Sequence, residues 1–413
     1  MKPLSIFRSA LVFPAFLIIA TCPVFALGQD IGVDVGGAAG IFRPKNPEAK
    51  RSTRTTPTTT SGRTSPRTTR PPANTAVNER FEEMLNKGNE ARDARRFSEA
   101  EEAYQGAAKL KPRDSRAAYG LGNIYADQQK WENAEAAYRS AVEFAPKDVD
   151  ALVALSVVLT QPRGGADTAR RYVEAESFAR KAVQIDPKHA IAWDRLGVAL
   201  QARGLLNSET EHSYKRAIDL DPQFAVAYAH LARALNRMGR PAEAVPLYAK
   251  ASELAKDPAT LNLIAESLQA EQLWKDSEPV LNRSLQLDPR NPTSLMLMGR
   301  YLVVFKRYQE AEPYLKQATE VSPRAYQPFN ILGRAYLGME RLSDAESAYD
   351  RAAQFASESE KKQLAGMFGF EGLGDGYMKA KQKESAARAY QRALDLDPGN
   401  RTLGDKLTKA RSR

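Results

Sequence analysis

From Phe81 onward, small, aromatic and helix-ending residues return in a fixed order. Counting units from 81, 115, 149, 190, 225, 258, 292, 326 and 367, a glycine stands at position 8 as Gly88, Gly122, Gly197, Gly299, Gly333 and Gly374. Alanine stands at position 20 (Ala100, Ala134, Ala244, Ala311, Ala345, Ala386) and again at position 27 (Ala107, Ala141, Ala217, Ala318, Ala352, Ala393). Position 24 is aromatic, as Tyr104, Tyr138, Tyr214, Tyr248, Tyr349 and Tyr390, and a proline follows the unit at Pro112, Pro146, Pro187, Pro222, Pro289, Pro323 and Pro398. Small side chains at 8, 20 and 27 let two helices of a hairpin approach closely. The tyrosine fills the gap between neighbouring hairpins with a large apolar area. Proline cannot continue a helix, and the residue before it is driven out of the α region. Each unit therefore reads as two helices joined by a turn.

The departures carry their own expectations. Unit three has Ser156 in place of the glycine and extra residues around Gln161–Gly165, which lengthens its turn. Unit four has one extra residue near Gly204–Thr210, and unit six carries Ser277, Leu281 and Ser284 at positions 20, 24 and 27. A spacer, Glu360–Gly366, precedes unit nine. Residues 401–413 are polar and basic enough for the solvating cap that a stack of repeats needs at its open end.

Successive starts lie mostly 33–35 residues apart, and the five recurring constraints together resemble the tetratricopeptide repeat family over 81–413. The resemblance implies an all-α fold: a right-handed superhelical solenoid of about nine helical hairpins over 81–400, closed by a C-terminal capping helix. It also implies a non-catalytic scaffold that binds a protein or peptide in the concave groove, where first-helix positions 2, 5, 9, 12 and 13 lie. Carried onto this chain, position 9 is Asn89, Asn123, Arg233, Arg300 and Arg334. Asn236 and Arg237 stand at positions 12 and 13 of unit five, and Asn330 at position 5 of unit eight. Arginines separated by whole repeats can grip carboxylates bidentately, and asparagines can pair with an extended backbone, so an acidic peptide is a candidate partner. The plainer alternative is a wet polar face neutralised by Asp127, Asp194, Glu266, Glu371 and Asp375. The family's Lys/Asn carboxylate clamp is not reproduced in consecutive repeats.

Ahead of the repeats the chain changes character. Residues 1–26 pair Lys2 and Arg8 with an apolar stretch and a Val24-Phe25-Ala26 end, the anatomy of a cleaved export signal. This predicts a periplasmic or extracellular protein with no stable membrane span once the signal is removed. The alternatives are an uncleaved N-terminal anchor and lipidation of Cys22, the one cysteine in the chain. Residues 27–80 read as a disordered linker, first Gly-rich and then Thr/Arg/Pro-rich: twelve of the eighteen positions from Ser52 to Thr69 are Ser or Thr, and such a segment has little to bury.

Of the net charge of +10, residues 1–80 hold +7, leaving +3 for 81–413. A nucleic-acid-binding protein concentrates its basic charge on a folded face, so no nucleic-acid partner is expected. Neither a metal nor a cofactor is expected: His189, His212 and His230 stand in no metal-ligand spacing, and no phosphate-binding glycine loop occurs. Gly372, Gly374 and Gly376 fall on a repeat helix, where they read as close packing. The rival functions are an envelope adaptor anchored through the basic stalk and a subunit of an envelope enzyme complex, which a buried histidine–carboxylate pair would favour. The oligomeric state is left open.

Overall fold

The computed structural model describes residues 45–48, 73–161, 163 and 167–412. All of them belong to one compact unit, 34–413. The export signal, most of the linker and Arg413 lie outside the described residues.

Among the described residues every regular element is a helix. Nine hairpins follow one another: α1 (Ala73–Asp93) with α2 (Phe97–Leu110), α3 (Ser115–Asp127) with α4 (Trp131–Phe144), α5 (Val149–Leu159) with α6 (Thr168–Ile185) and α7 (Ala190–Ala202) with α8 (Ser208–Leu220). Next come α9 (Ala225–Arg237) with α10 (Pro241–Leu254), α11 (Pro258–Ala270) with α12 (Trp274–Leu287), α13 (Pro292–Val304) with α14 (Tyr308–Val321) and α15 (Tyr326–Gly338) with α16 (Leu342–Phe355). A short helix α17 (Glu358–Ala365) precedes the ninth pair, α18 (Phe370–Lys379) with α19 (Lys383–Leu396), and α20 (Arg401–Arg411) packs on α19. Each helix packs on its hairpin partner and on the hairpin that follows, which makes the molecule an all-α solenoid.

Three boundaries differ from the sequence reading. The first helix starts at Ala73, eight residues before the expected Phe81, so 73–80 are helix rather than linker. Residues 45–48, also assigned to the linker, lie against the first two hairpins through hydrogen bonds to α1 and α3. The spacer before unit nine is itself a helix: the Ser357 side chain and Glu360 form a reciprocal capping box, and Leu364 and Ala365 are buried. In unit three, between α5 and α6, the buried Arg171 donates to the carbonyls of Gln161 (3.2 Å) and Arg163 (2.8 Å).

The recurring residues do what their sizes require. A Cβ on Gly122 would lie 2.5 Å from the Tyr138 ring, and one on Gly333 2.4 Å from that of Tyr349, so the aromatic lies flat on bare backbone. From Val198 to Ala410 the buried side chains form one continuous cluster, whereas the first three hairpins hold smaller ones. In unit six, where the small and aromatic residues are missing, Ser284, Ser294 and Asn262 close a buried hydrogen-bond network at 2.8–3.1 Å.

The turn between the two helices of a hairpin needs a residue in the left-handed region at position 15. Only Gly204 and Gly239 are glycines there. Arg95, Gln129, Gln272, Lys306, Glu340 and Lys381 adopt φ of 56–65°. A side chain in that region costs energy that glycine avoids, although glycine loses more backbone freedom on folding. Lys306→Gly, at an exposed site, is therefore expected to raise stability by about 0.5–1 kcal/mol. A urea midpoint that falls instead would contradict the strain argument.

Candidate functional site

In hairpins one, two and nine, position 9 of the first helix meets position 24 of the second. The hydroxyl of Tyr104 donates to Asn89 Oδ1 (2.7 Å), that of Tyr138 to Asn123 Oδ1 (2.9 Å) and that of Tyr390 to Asp375 Oδ1 (2.7 Å). Unit four has Val198 at position 9, and Tyr214 donates instead to Gln201 Oε1 at 3.0 Å. In units five and eight the row holds an arginine, Arg233 or Arg334. There the hydroxyls of Tyr248 and Tyr349 have no hydrogen-bond partner among the described residues. Reading positions 9 and 24 together would have revealed this alternation in the sequence.

The two asparagine rows hold a piece of the chain itself. Asn89 Nδ2 donates to the carbonyl of Pro47 (3.0 Å), and Asn123 Nδ2 to that of Lys45 (3.0 Å). The buried Arg92 forks onto Asp127 at 2.7 and 3.1 Å and donates from Nη1 to Asn46 Oδ1 at 3.0 Å. Asn46 Nδ2 reaches Asp93 Oδ2 at 2.9 Å, and Arg116, paired with Glu82, donates to the carbonyl of Glu48 at 2.8 Å. Lys45 also faces Asp150. The hydrogen bond from His189 is the main cause that holds that carboxyl below its ordinary range, and the charges of His189 and Lys45 add to it.

The middle of the wall is neutralised internally. Arg237 Nε donates to Glu271 Oε1 at 2.8 Å, Asn236 Nδ2 donates to Oε2 at 2.9 Å, and Arg233 Nε lies 4.0 Å from Oε1. Glu271 closes the α11 helix one repeat away, a position that the sequence reading did not weigh. Asp127 takes Arg92, while Glu371 and Asp375 take Lys406 of α20 at 2.8–2.9 Å. Asp127, Glu371 and Asp375 thus pair with cations other than Arg300 and Arg334, while Glu266 acts on Arg300 through its charge alone.

Those two arginines are left differently. Arg300 is 8% exposed; its Nε donates to Gln269 Oε1 at 2.7 Å, and its Nη2 has no hydrogen-bond partner among the described residues. Arg334 lays its guanidinium over the Phe368 ring at 4.6 Å, and neither its Nε nor Asn330 Oδ1 has a hydrogen-bond partner among the described residues. Burial, opposed by Glu266 and reinforced by the charge of Arg334, pushes the Arg300 guanidinium down to about 10. Burial also lowers Arg334. Two adjacent cations are thus withdrawn from water, and no carboxylate hydrogen-bonds to either among the described residues.

A second histidine meets a carboxylate, and this pair is buried. His230 Nδ1 lies 2.8 Å from Asp194 Oδ1, and Arg195 Nη2 lies 2.9 Å from Oδ2. The partners stand 36 residues apart, so the stacking of repeats brings them together and local spacing could not show it. Burial acts to raise the Asp194 carboxyl, but the charges of His230 and Arg195 outweigh it and hold the group below its ordinary range. Asp194, Arg195 and His230 are 0–4% exposed, and the Tyr214 ring covers the histidine at 5.7 Å. No group of three or more metal-ligating side chains occurs among the described residues, and no described helix is long and apolar enough to cross a membrane.

On the side carried by the second helices, a cavity of about 500 Å³ is lined by Glu346, Glu384, Ala387, Arg388, Gln391, Arg392 and Arg411. Its arginines are already engaged, Arg392 with Asp350 and Arg411 with Gln391.

Family models of the tetratricopeptide repeat match residues 85–149, 213–245, 296–360 and 368–400. No curated protein matches the chain. Among solved structures, the MamA protein is 22% identical over 43% of this chain and 92% of its own, with a TM-score of 0.35. TTC0263, a thermophilic TPR protein in Thermus thermophilus, is 24% identical over 46% of this chain and 98% of its own, at 0.39. The APC/C hetero-tetramer Cut9-Hcn1 gives 14% identity over 81% and 90%, at 0.40.

Proposed function

Because the chain belongs to the tetratricopeptide repeat family, we propose that it is a non-catalytic scaffold that holds an acidic segment of another protein against the face built by its first helices. The observation that carries this reading is the row at α13 and α15. Arg300 Nη2, Arg334 Nε, Asn330 Oδ1 and the Tyr349 hydroxyl, the last from the neighbouring α16, are four buried polar atoms with no hydrogen-bond partner among the described residues. Buried polar groups left unmade are costly; a carboxylate supplies the acceptors that the guanidinium groups and the Tyr349 hydroxyl require, and a peptide N–H the donor that Asn330 Oδ1 requires. Arg233, Asn236 and Arg237, gathered around Glu271, serve mainly to hold hairpins five and six together.

A fluorescent acidic octapeptide with a free C-terminal carboxylate tests the assignment. Replacing both Arg300 and Arg334 with glutamine is expected to weaken its binding at least tenfold, because the charge-assisted hydrogen bonds to its carboxylates are lost. Arg237→Gln, whose charge is already answered by Glu271, is expected to change affinity less than twofold. Equal affinity for the wild type and the double variant would remove the arginine seat.

The enzymatic reading has one observation in its favour, the Asp194–His230 pair. The pair is buried with Arg195 beside it, which favours a structural ion cluster between hairpins four and five. We further propose export across a membrane, on the pattern of residues 1–26.

A further inference from the structure

Residues 45–48 supply a ligand for the other end of the same face. We propose that hairpins one and two form a slot for extended peptide backbone, and that Lys45–Glu48 is its resident ligand in cis, closing that end of the groove to outside peptides until it is displaced. The inference rests on the first-helix face being the binding face, but not on the arginine seat.

Three features make this a built slot. First, equivalent asparagines one repeat apart, Asn89 and Asn123, grip carbonyls two residues apart, those of Pro47 and Lys45. Tyr104 and Tyr138 donate to the amide oxygens of those asparagines, so each Nδ2 is turned toward the ligand. Second, the Asn46 side chain is read at both ends: its oxygen accepts from Arg92 and its nitrogen donates to Asp93. An aspartate there would face Asp93, and a lysine would face Arg92. Third, Pro47 is buried, and proline brings no N–H that would need a partner. The slot therefore selects an extended Asn-Pro segment and reads main chain more than charge, unlike the arginine row.

Twenty-four residues, 49–72, separate the ligand from α1. Fully extended they span at most about 85 Å, ample for a connection within one molecule. Tethering on that scale gives an effective concentration of roughly millimolar, which a free peptide of equal affinity must exceed.

The test uses a fluorescein-labelled peptide of residues 43–50. It is titrated onto the intact chain and onto a chain whose residues 45–48 are replaced by Gly-Ser-Gly-Ser. The replaced chain is expected to bind at least tenfold more tightly than the intact one, and the peptide carrying Asn46→Asp at least tenfold more weakly than its parent. A full chain carrying Asn46→Asp, which leaves every helix untouched, is expected to fall between the two. Equal binding by intact and replaced chains, or none by the replaced chain, overturns the proposal. An intact chain that elutes as a dimer and opens its slot on dilution also overturns it, by assigning the ligand to a second copy. Arg300→Gln with Arg334→Gln is expected to leave this peptide unaffected, so failure of the acidic-peptide reading and failure of the slot can be told apart.

Discussion

Tyr138→Ala is expected to destabilise the N-terminal hairpins by about 3–5 kcal/mol, the range for emptying a buried aromatic site. The side chain is fully buried, lies on Gly122 and packs against Tyr119 with ring centroids 5.7 Å apart. Its hydroxyl is also the donor that orients Asn123. Tyr138→Phe keeps the ring and removes only that hydrogen bond, so its cost is expected to be about 1 kcal/mol. In a stack stabilised by nearest neighbours, the alanine variant is expected to open hairpins one and two before the continuous core from Val198 to Ala410. Urea unfolding followed by circular dichroism should then show an early partial transition. A single transition shifted by less than about 1 kcal/mol would mean that the tyrosine row does not hold the hairpins together.

The second large effect is expected at Asp194. Removing one partner of a buried ion cluster leaves the others uncompensated, and Asp194→Asn is expected to cost about 3–5 kcal/mol near neutral pH. The pH dependence gives the sign. The folded-state carboxyl is held below its ordinary range, so its contribution is complete above the unfolded value of about 3.9 and is lost as pH falls from there through the folded value. The gap between wild type and Asp194→Asn should therefore narrow as pH falls below about 4. A gap that widens on acidification would show that burial, rather than His230 and Arg195, governs this carboxyl.

How far the sequence disclosed this depends on the range of each interaction. Gly122, Ala134, Tyr138 and Pro146 were legible because each constraint acts within one hairpin and recurs. Helix α1 begins at Ala73 in a stretch whose polar composition gives no repeat signal, and the capping box at Ser357–Glu360 sits in a spacer between recognisable units. The candidate site was legible in position but not in state. Asn89, Asn123, Arg300 and Arg334 lie on first helices, as their place at position 9 of the units required. That Glu271 neutralises the Arg233 set, and that Asp194 meets His230, follows from contacts 34–38 residues apart, which only the stacking of repeats creates. The Lys45–Glu48 contacts depend on a segment whose neighbours suggest nothing but a linker.

The central claim is that a partner lies on the first-helix face, and cross-linking tests it most directly. An acidic peptide carrying a photoreactive group beside its terminal carboxylate is bound to the intact chain and irradiated, and the adducts are mapped by mass spectrometry. The account predicts adducts on α13 and α15, around Arg300 and Arg334, suppressed in the double glutamine variant. Adducts concentrated instead around Arg388, Arg392 and Arg411, on the second-helix side, would contradict it.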